Sequence, residues 1–500
     1  MNNPNPALPG WIRIPLIQKM DRRCGSIVIA VFLLSFAWPL TAVAQSEFLI
    51  RDAKFLRNIT VDNEQIRYGV GNVHLVSDQA EVFCDSVYRF LDKNEIRAYG
   101  NIEVRTEQER IWTDTLVYFS DVDFSQLRGR VIIETDTMIL FSNSVDYRFT
   151  TRVGHIIDRV RLEDQEGVLT ARSGYYYREP DSAVFRGNVQ LADTLQYAEG
   201  DSIFVNRRKE SYEIHGDVFI DDREERVKLK GDYLEADSTG RRLLEGNAWM
   251  QRFEADSART DSTESDTTHI WSNRILSTRD IVDADTNNIV NAYGNVRIWS
   301  SEFAAIADTA RFESLTETFE LWSDPIAWHQ QIQLTGPYIR VRLKDEQIER
   351  LTSYPTPFAV QHDTTIDRLN QMTGDTLIAR FNEGEISHIH LYNNSHLIRY
   401  TENENGQSDG AVELVAPSTR IFFKEGKLEE LKSTGPVDGS YLPESEQTKE
   451  KRIDGFSWNP NLRPRKPAEK MNPRFMPIPD TLWFELPRRF VQSRSETPER

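Results

Sequence analysis

Apolar and polar residues alternate in short runs along most of this chain, and each run follows a glycine. The runs are "VGNVHLV" from Val70, "YGNIEVR" from Tyr99, "RGRVIIE" from Arg128, "RGNVQLA" from Arg186, "HGDVFID" from His215, "EGNAWMQ" from Glu245 and "YGNVRIW" from Tyr293. Val73 and Leu75 flank His74, Ile102 and Val104 flank Glu103, and Val189 and Leu191 flank Gln190. Val218 and Ile220 flank Phe219, and Val296 and Ile298 flank Arg297. A period of two is the mark of a half-buried strand. Glycine followed by Asn or Asp permits positive φ where the chain reverses or bends. Helical periodicity is nearly absent, so the chain is predicted to be all-β, with strands that begin at the glycines.

The glycines are Gly71, Gly100, Gly129, Gly187, Gly216, Gly246 and Gly294, separated by steps of 29, 29, 58, 29, 30 and 48. The step of 58 is two periods, and its midpoint starts "DRVRLED" with Asp158 in place of glycine. The step of 48 holds one period plus 19 residues, an excess that falls on the polar stretch "DSARTDSTESDTTH" (256–269). That stretch has little to bury and reads as an inserted loop. "SDPIAWH" (323–329) and "SYPTPFAV" (353–360) keep the phase, and "SHIHLYN" (387–393) and "TGPVDGS" (434–440) follow in a looser register. A second signature sits 14 residues after the glycine: Asp or Asn, usually with Ser or Thr and then an aliphatic, as in "DSVYRF" from Asp85, "DTLVYF" from Asp114 and "DTARFE" from Asp308.

A unit of 29 residues cannot bury its apolar face alone, so neighbouring units must stack. About twelve of them predict an elongated, repetitive structure with a continuous apolar interior, at one or two strand layers per repeat. The expected organisation is β-repeats over 45–255, the acidic loop over 256–269, β-repeats over 270–442 and a Pro-rich charged tail over 443–500. The tail reads as extended or disordered. Its apolar island "TLWFELPRRF" (481–490) reads either as part of a disordered end or as a short docking segment.

The first 44 residues stand apart. Lys19, Arg22 and Arg23 precede the apolar run "IVIAVFLLSFAWPL" (27–40), and Ala42 and Ala44 follow it. This is the order of a cleaved secretory signal peptide; the alternative is a retained anchor, for which the run is short against a span of about 20 residues. The expected location is therefore the periplasm, soluble or peripheral to the outer membrane. After cleavage one cysteine, Cys84, remains, which excludes an internal disulfide. The formal net charge of −18 argues against binding nucleic acid or adsorbing to anionic lipid.

Candidate chemistry is sparse. His388 and His390 would share a strand face about 6.6 Å apart, with His396 nearby, but spacing fixes no third metal ligand. "DADTNN" (283–288) begins like a calcium loop yet lacks glycine at its sixth position and has Gly294 rather than glutamate at its twelfth. No nucleophile elbow, phosphate loop or zinc-protease motif occurs. The carboxylates recur with the repeat, as turn residues do, so no enzyme activity, cofactor or metal is expected. The repeated feature is the apolar row, read either as a sealed core or as an open groove able to hold acyl chains.

"AYGNIEV", "FRGNVQL", "LEGNAWM" and "AYGNVRI", each trailed by an Asp-Ser/Thr-aliphatic segment, resemble the OstA-like repeats of the LptA-type periplasmic lipopolysaccharide-transport bridges. They are similar too to the N-terminal domain of the outer-membrane partner of those bridges. The resemblance covers about 65–440. It implies a folded-over β-jellyroll, or β-taco, that carries lipopolysaccharide across the periplasm with its acyl chains in the groove. It implies end-to-end pairing of edge strands with other β-taco proteins of the pathway. The positions matching the family's inward rows are Val73, Leu75, Ile102, Val104, Val189, Leu191, Val218, Ile220, Val296 and Ile298. The chain departs from the pattern in its length, its acidic insert and its Pro-rich tail. Two other classes compete: a closed β-helix acting as a structural or adhesive envelope protein, and a carbohydrate-active β-helix enzyme, which would need a cleft with clustered carboxylates.

Overall fold

A computed structural model describes residues 48–475, apart from 165–166, 180, 254–266, 283–284, 345–346, 425–426 and 469, together with residue 478. The segment expected to be a signal peptide, most of the acidic insert and the apolar island at 481–490 lie outside the described residues. Among the described residues regular structure is almost wholly β: 31 strands accompany one short helix, Glu446–Lys449, and two single 3-10 turns. No helix among the described residues is long and apolar enough to cross a membrane. The expected all-β, repetitive jellyroll class is the one observed. The chain forms two compact units, Met1–His215 with Arg474–Arg500, and Gly216–Pro473.

In the first unit each strand pairs antiparallel with the next. Glu64–Val76, Glu81–Phe90, Glu95–Arg105, Glu109–Phe119, Phe124–Thr135 and Met138–Arg148 form such a succession. One 29-residue period is thus two strands, a hairpin. The glycine does not start a strand, as the sequence suggests, but sits in the middle of one. Gly100 and Asn101 both have positive φ, 76° and 45°, inside the continuous strand Glu95–Arg105. Pairing to both neighbours skips at this point, between Tyr99 and Ile102. Two successive left-handed residues bend the strand sharply without ending its ladders. The same pair recurs at Gly71–Asn72, Gly129–Arg130, Gly187–Asn188, Gly216–Asp217, Gly246–Asn247 and Gly294–Asn295.

The second signature is the other half of this corner. Asp85 lies against Gly100, where a Cβ would come within 2.5 Å of its Oδ2. Asn101 Nδ2 donates to the same carboxylate at 2.7 Å. Arg130 and Asp114 repeat the contact, as do Asn247 with Asp232 and Asn394 with Asp375. The residue before the Asp points inside the bend and is small: Cys84, Thr113, Ser142 and Ser272. Thr113 Oγ1 donates to the carbonyl of Arg128 at 3.0 Å, satisfying backbone exposed by the bend. Cys84 is a buried corner residue of this kind.

Each bent strand contributes half its length to each of two facing walls. The first wall carries segments such as 96–99, 115–119, 125–128 and 145–148; the second carries 102–105, 109–113, 131–135 and 138–142. Corners join the walls on one side. On the opposite side lie two rows of hairpin loops, such as 91–94 and 149–152 on the first wall and 106–108 on the second. The space between these loop rows is the mouth.

The second unit repeats the plan with Arg242–Phe253, Thr267–Val282 and Asp285–Trp299. Thr267–His269, assigned to the insert from sequence, belong to a strand and pair with Phe253, Arg252 and Gln251. Between Thr318 and Asn382 the bent strand appears as two shorter ones, and Glu385–Glu402 and Ser408–Lys424 are again long and continuous. Thr318–Trp322 and Ile326–His329 flank a corner made by Ser323 and Asp324, at φ 68° and 56°.

Over its described part the tail holds a short helix, Glu446–Lys449, and a 3-10 turn, Pro460–Leu462, and it is packed. Ile453, Phe456 and Trp458 pack against Phe358, Val360, Ile398 and Tyr400 on the outer face of the second wall. Two buried glutamines hold its backbone. Gln371 donates to the Lys451 carbonyl and accepts from Ile453 N, both at 2.9 Å. Gln333 donates to the Ser457 carbonyl at 2.9 Å and accepts from Asn459 N at 2.7 Å. Composition alone, rich in proline and charge, hides these few apolar anchors. In the first unit, Glu199 accepts from the backbone N–H groups of Arg474 and Phe475.

Candidate functional site

The apolar rows line the interior between the walls. On the second wall of the first unit Leu75 pairs with Val82, Val82 with Val104, Val104 with Ile111, and Ile111 with Ile133. Strand alternation points all of these side chains to one face. Val73, Leu75, Ile102, Val104 and Val189 are at most 1% exposed in this unit, as are Val218, Ile220, Val296 and Ile298 in the other. Leu191, the tenth position singled out in the sequence, is half-buried and lines a cavity. The intervening Glu103 lies on the opposite face of the sheet, where it pairs with Arg105 at 2.7 Å.

The mouth is held by side chains rather than backbone. In the first unit Glu109 ends the second wall in the same alternation phase as Ile111, so its carboxylate faces inward. It accepts from the Tyr147 hydroxyl at 2.7 Å and pairs with the Arg178 guanidinium, both from the first wall. Gln108, beside it, accepts from Arg152 at 2.9 Å. Burial and the Glu109 carboxylate push the Tyr147 hydroxyl well above the usual phenol pKa, so it stays a donor. Phe48 packs edge-on against Tyr118 at 5.3 Å, and Phe149 does so against Tyr147 at 5.1 Å, adding an aromatic cover.

The second unit has a latch of the same design. Asp222 continues the inward phase of Val218 and Ile220 and pairs with Arg242 at 3.5 Å; the two are 1% and 4% exposed. Glu225 pairs with Arg279 at 3.1 Å. Burial raises the carboxyl pKa of Asp222 and Glu225 against the pull of these guanidiniums, and lowers that of Arg279. Sequence reading missed these residues because they do not repeat. The available signal was a charged residue at a strand end in phase with the apolar row.

The interior is closely filled. In the first unit one cavity, of about 30 Å³, is bounded by Leu162, Leu169 and Leu191 on one wall and Phe185, Ile203 and Val205 on the other. Beside the Glu109–Tyr147 latch lies another of about 20 Å³, and one of about 20 Å³ lies in the second unit among Leu334, Leu351 and Ile389. Such volumes hold about one water each. None of these three cavities holds an acyl chain unless the walls part.

The remaining candidates are dispersed. His388 stacks near Phe422, His390 hydrogen-bonds with Ser418 Oγ at 2.9 Å, and His396 with Glu413 at 3.1 Å. Burial and the neighbouring Arg420 lower the pKa of both His388 and His390. Among the described residues no three His, Cys, Asp or Glu side chains converge as a metal site.

No curated protein matches the chain significantly. Residues 45–201, which hold the corners from Gly71 to Gly187, match the sequence profile of the OstA-like proteins. OstA-like proteins form a transport and binding family connected with lipopolysaccharide and organic-solvent tolerance. By this match, and by the repeat and the fold that accompany it, residues 45–201 are similar to the OstA-like proteins.

Proposed function

We propose that this protein is a non-enzymatic lipid carrier of the periplasm, which takes the acyl chains of lipopolysaccharide between its two walls and passes them towards the outer membrane. The observation that carries this reading is the asymmetry of the interior. Between the corners and the latches it is lined mainly by apolar side chains; it is joined on one side by backbone and, among the described residues, closed on the other by side chains. Parting the mouth would expose the rows containing Ile102, Val104, Val189 and Leu191 without breaking a ladder. Burying acyl methylenes there would return about 0.8 kcal/mol each, enough for one chain to offset a broken latch.

The ends of the sheets support pairing with other β-taco proteins. Among the described residues Phe55–Val61 pairs with Glu64–Val76 on one side only, and exposes Phe55, Leu56, Ile59 and Val61. Among the described residues Lys427–Thr434 and Asp438–Pro443 pair only with Ser408–Lys424, and Val437 and Tyr441 are exposed beside them. Open edges of this kind accept a further strand.

A second reading, a closed structural or adhesive β protein of the envelope, draws support from the filled interior. Photo-crosslinking in cells separates the two. Probes at Ile102 and Val189 should capture lipopolysaccharide, and probes at Glu103 and Gln190 should not. Capture confined to Glu103 and Gln190, or none, would remove the carrier reading.

A further inference from the structure

Three arginines, Arg152, Arg178 and Arg207, stand together on the first-wall rim of the mouth in the first unit. Arg178 follows Gly174 and Tyr176 in the inward phase, and Arg207 follows Ile203 and Val205. Strand pairing sets their spacing. Tyr177 pairs with Val153 on one side and Ser182 on the other, and Ser182 pairs with Asn206. Arg178 is thus one ladder step from Arg152 and two from Arg207, a row of about 14 Å at ~4.8 Å per step. The Arg178 N–H also donates to the Arg152 carbonyl at 3.3 Å, and the Arg207 N–H to the Asp181 carbonyl at 3.0 Å. On the facing rim, the inward phase of the second wall ends in carboxylates at Glu109 and Asp164.

We propose that this row is the seat of a phosphate-bearing lipid headgroup, which takes over the arginines when the mouth opens. The proposal rests on the carrier reading and names the headgroup chemistry of the same site. Three observations support it. First, the row borders the cavities of this unit. Arg207 and Asp164 line the one of about 30 Å³, and Glu109 and Tyr147 line the one of about 20 Å³. Met138 and Tyr176 line both. Cations beside apolar space suit an amphiphile, with its anion at the rim and its chains below. Second, the charges converge on one point. Burial raises the phenol pKa of Tyr176, Asp181 and Glu109 push it the same way, and Arg207 and Arg178 oppose them. All four charges therefore act at its hydroxyl.

Third, opening the mouth takes acceptors away from two of the arginines. Arg178 pairs with Glu109, and Arg152 donates to Gln108 at 2.9 Å, both across the mouth. Arg207 pairs with Asp181, on its own wall, at 3.6 Å. Parting the walls carries Glu109 and Gln108 away and leaves the guanidiniums on the first wall. A phosphate offers several oxygens in the geometry that a guanidinium binds in bidentate fashion. The headgroup thereby replaces the hydrogen bonds that the opened latch loses. The anion leans on the first wall, because like charge on Glu109 and Asp164 repels it from the second. A free phosphate could bind the arginines but would leave the apolar space below unfilled.

The test is equilibrium binding of radiolabelled lipid A to the full-length protein, with the lipid native or stripped of its phosphates. The native lipid should bind roughly tenfold more tightly. Arg207→Gln, and the neutral latch Glu109→Gln with Arg178→Gln, should each weaken the native lipid several-fold. The stripped lipid should bind these variants as it binds the unaltered protein. Arg152→Gln, on an exposed loop, reads the same difference if the buried latch pair fails to fold. Equal binding of the two lipids, or variants that weaken both alike, would overturn the headgroup seat and leave the carrier reading standing. Binding of neither lipid would remove the carrier reading itself. Millimolar inorganic phosphate should not displace the native lipid; displacement would assign the arginines to the free ion instead.

Discussion

The corner side and the mouth side of each unit enclose the same interior by different means. At the corner, alternate strands bend from one wall to the other through two left-handed residues, as at Gly100 and Asn101, which pack against Asp85 of the neighbouring strand. At the mouth, the walls meet through a few buried polar side chains, Glu109 with Tyr147 and Arg178, and Asp222 with Arg242. The first arrangement is built into the backbone and recurs in each repeat. The second is local, costly to desolvate and removable by moving side chains alone. A hinge that cannot open and a seam that can is what a carrier of long apolar chains requires.

The comparison is easiest to break at the mouth. Arg242→Met leaves Asp222 as an uncompensated buried charge and should cost about 3–5 kcal/mol in denaturant unfolding. Adding Asp222→Leu should restore most of that loss, because two apolar residues replace the pair. If the single and double variants lose stability equally, Asp222 and Arg242 do not act as a latch.

At the corner, Gly100→Val puts a β-branched residue at φ 76° and drives its Cβ into Asp85. A loss on the order of 3 kcal/mol is expected by chemical denaturation. Gly154, which has no positive φ, should tolerate alanine far better. Equal losses at both would remove the special role of the corner.

A smaller effect depends on pH. Burial, with Lys466 nearby, lowers the pKa of His269 to about 4 from its ordinary 6.5, and its Nδ1 accepts from Trp249 at 3.2 Å. The unfolded chain binds this proton at higher pH than the folded one. The stability His269 contributes is therefore complete above about pH 6.5 and is lost as pH falls towards 4. His269→Phe should flatten the thermal-stability profile over that window, and an unchanged slope would assign it to other groups. Least of all, Arg130→Ala should cost about 0.2–1 kcal/mol, since its pair with Asp114 is half-exposed.

The repeat and its all-β class were legible because backbone geometry imposes them at fixed spacing. The bend favours glycine at one position, and at Gly100, Gly129 and Gly216 an Asp stands 15 residues before it, so both signatures recur in phase. Their meaning was less legible. Positive φ suits a hairpin turn as well as a mid-strand bend, and only the pairing of Tyr99 and Ile102 on either side of the corner distinguishes them. The inward phase of Val189 and Leu191 followed from alternation. The latch did not, because Glu109 meets Arg178 across 69 residues without any repeated spacing. The packed tail was hidden for a similar reason: Ile453, Phe456 and Trp458 are isolated among prolines and charges, and only the face they meet gives them a role.

The claim that the mouth opens while the corners hold is tested most directly with nitroxide labels on Glu107→Cys and Thr151→Cys, exposed loop residues on opposite walls of the first unit, with buried Cys84 left in place. Spin–spin broadening between the labels should weaken on adding lipopolysaccharide as the walls part. Lipopolysaccharide bound to the protein with the broadening unchanged would contradict the account.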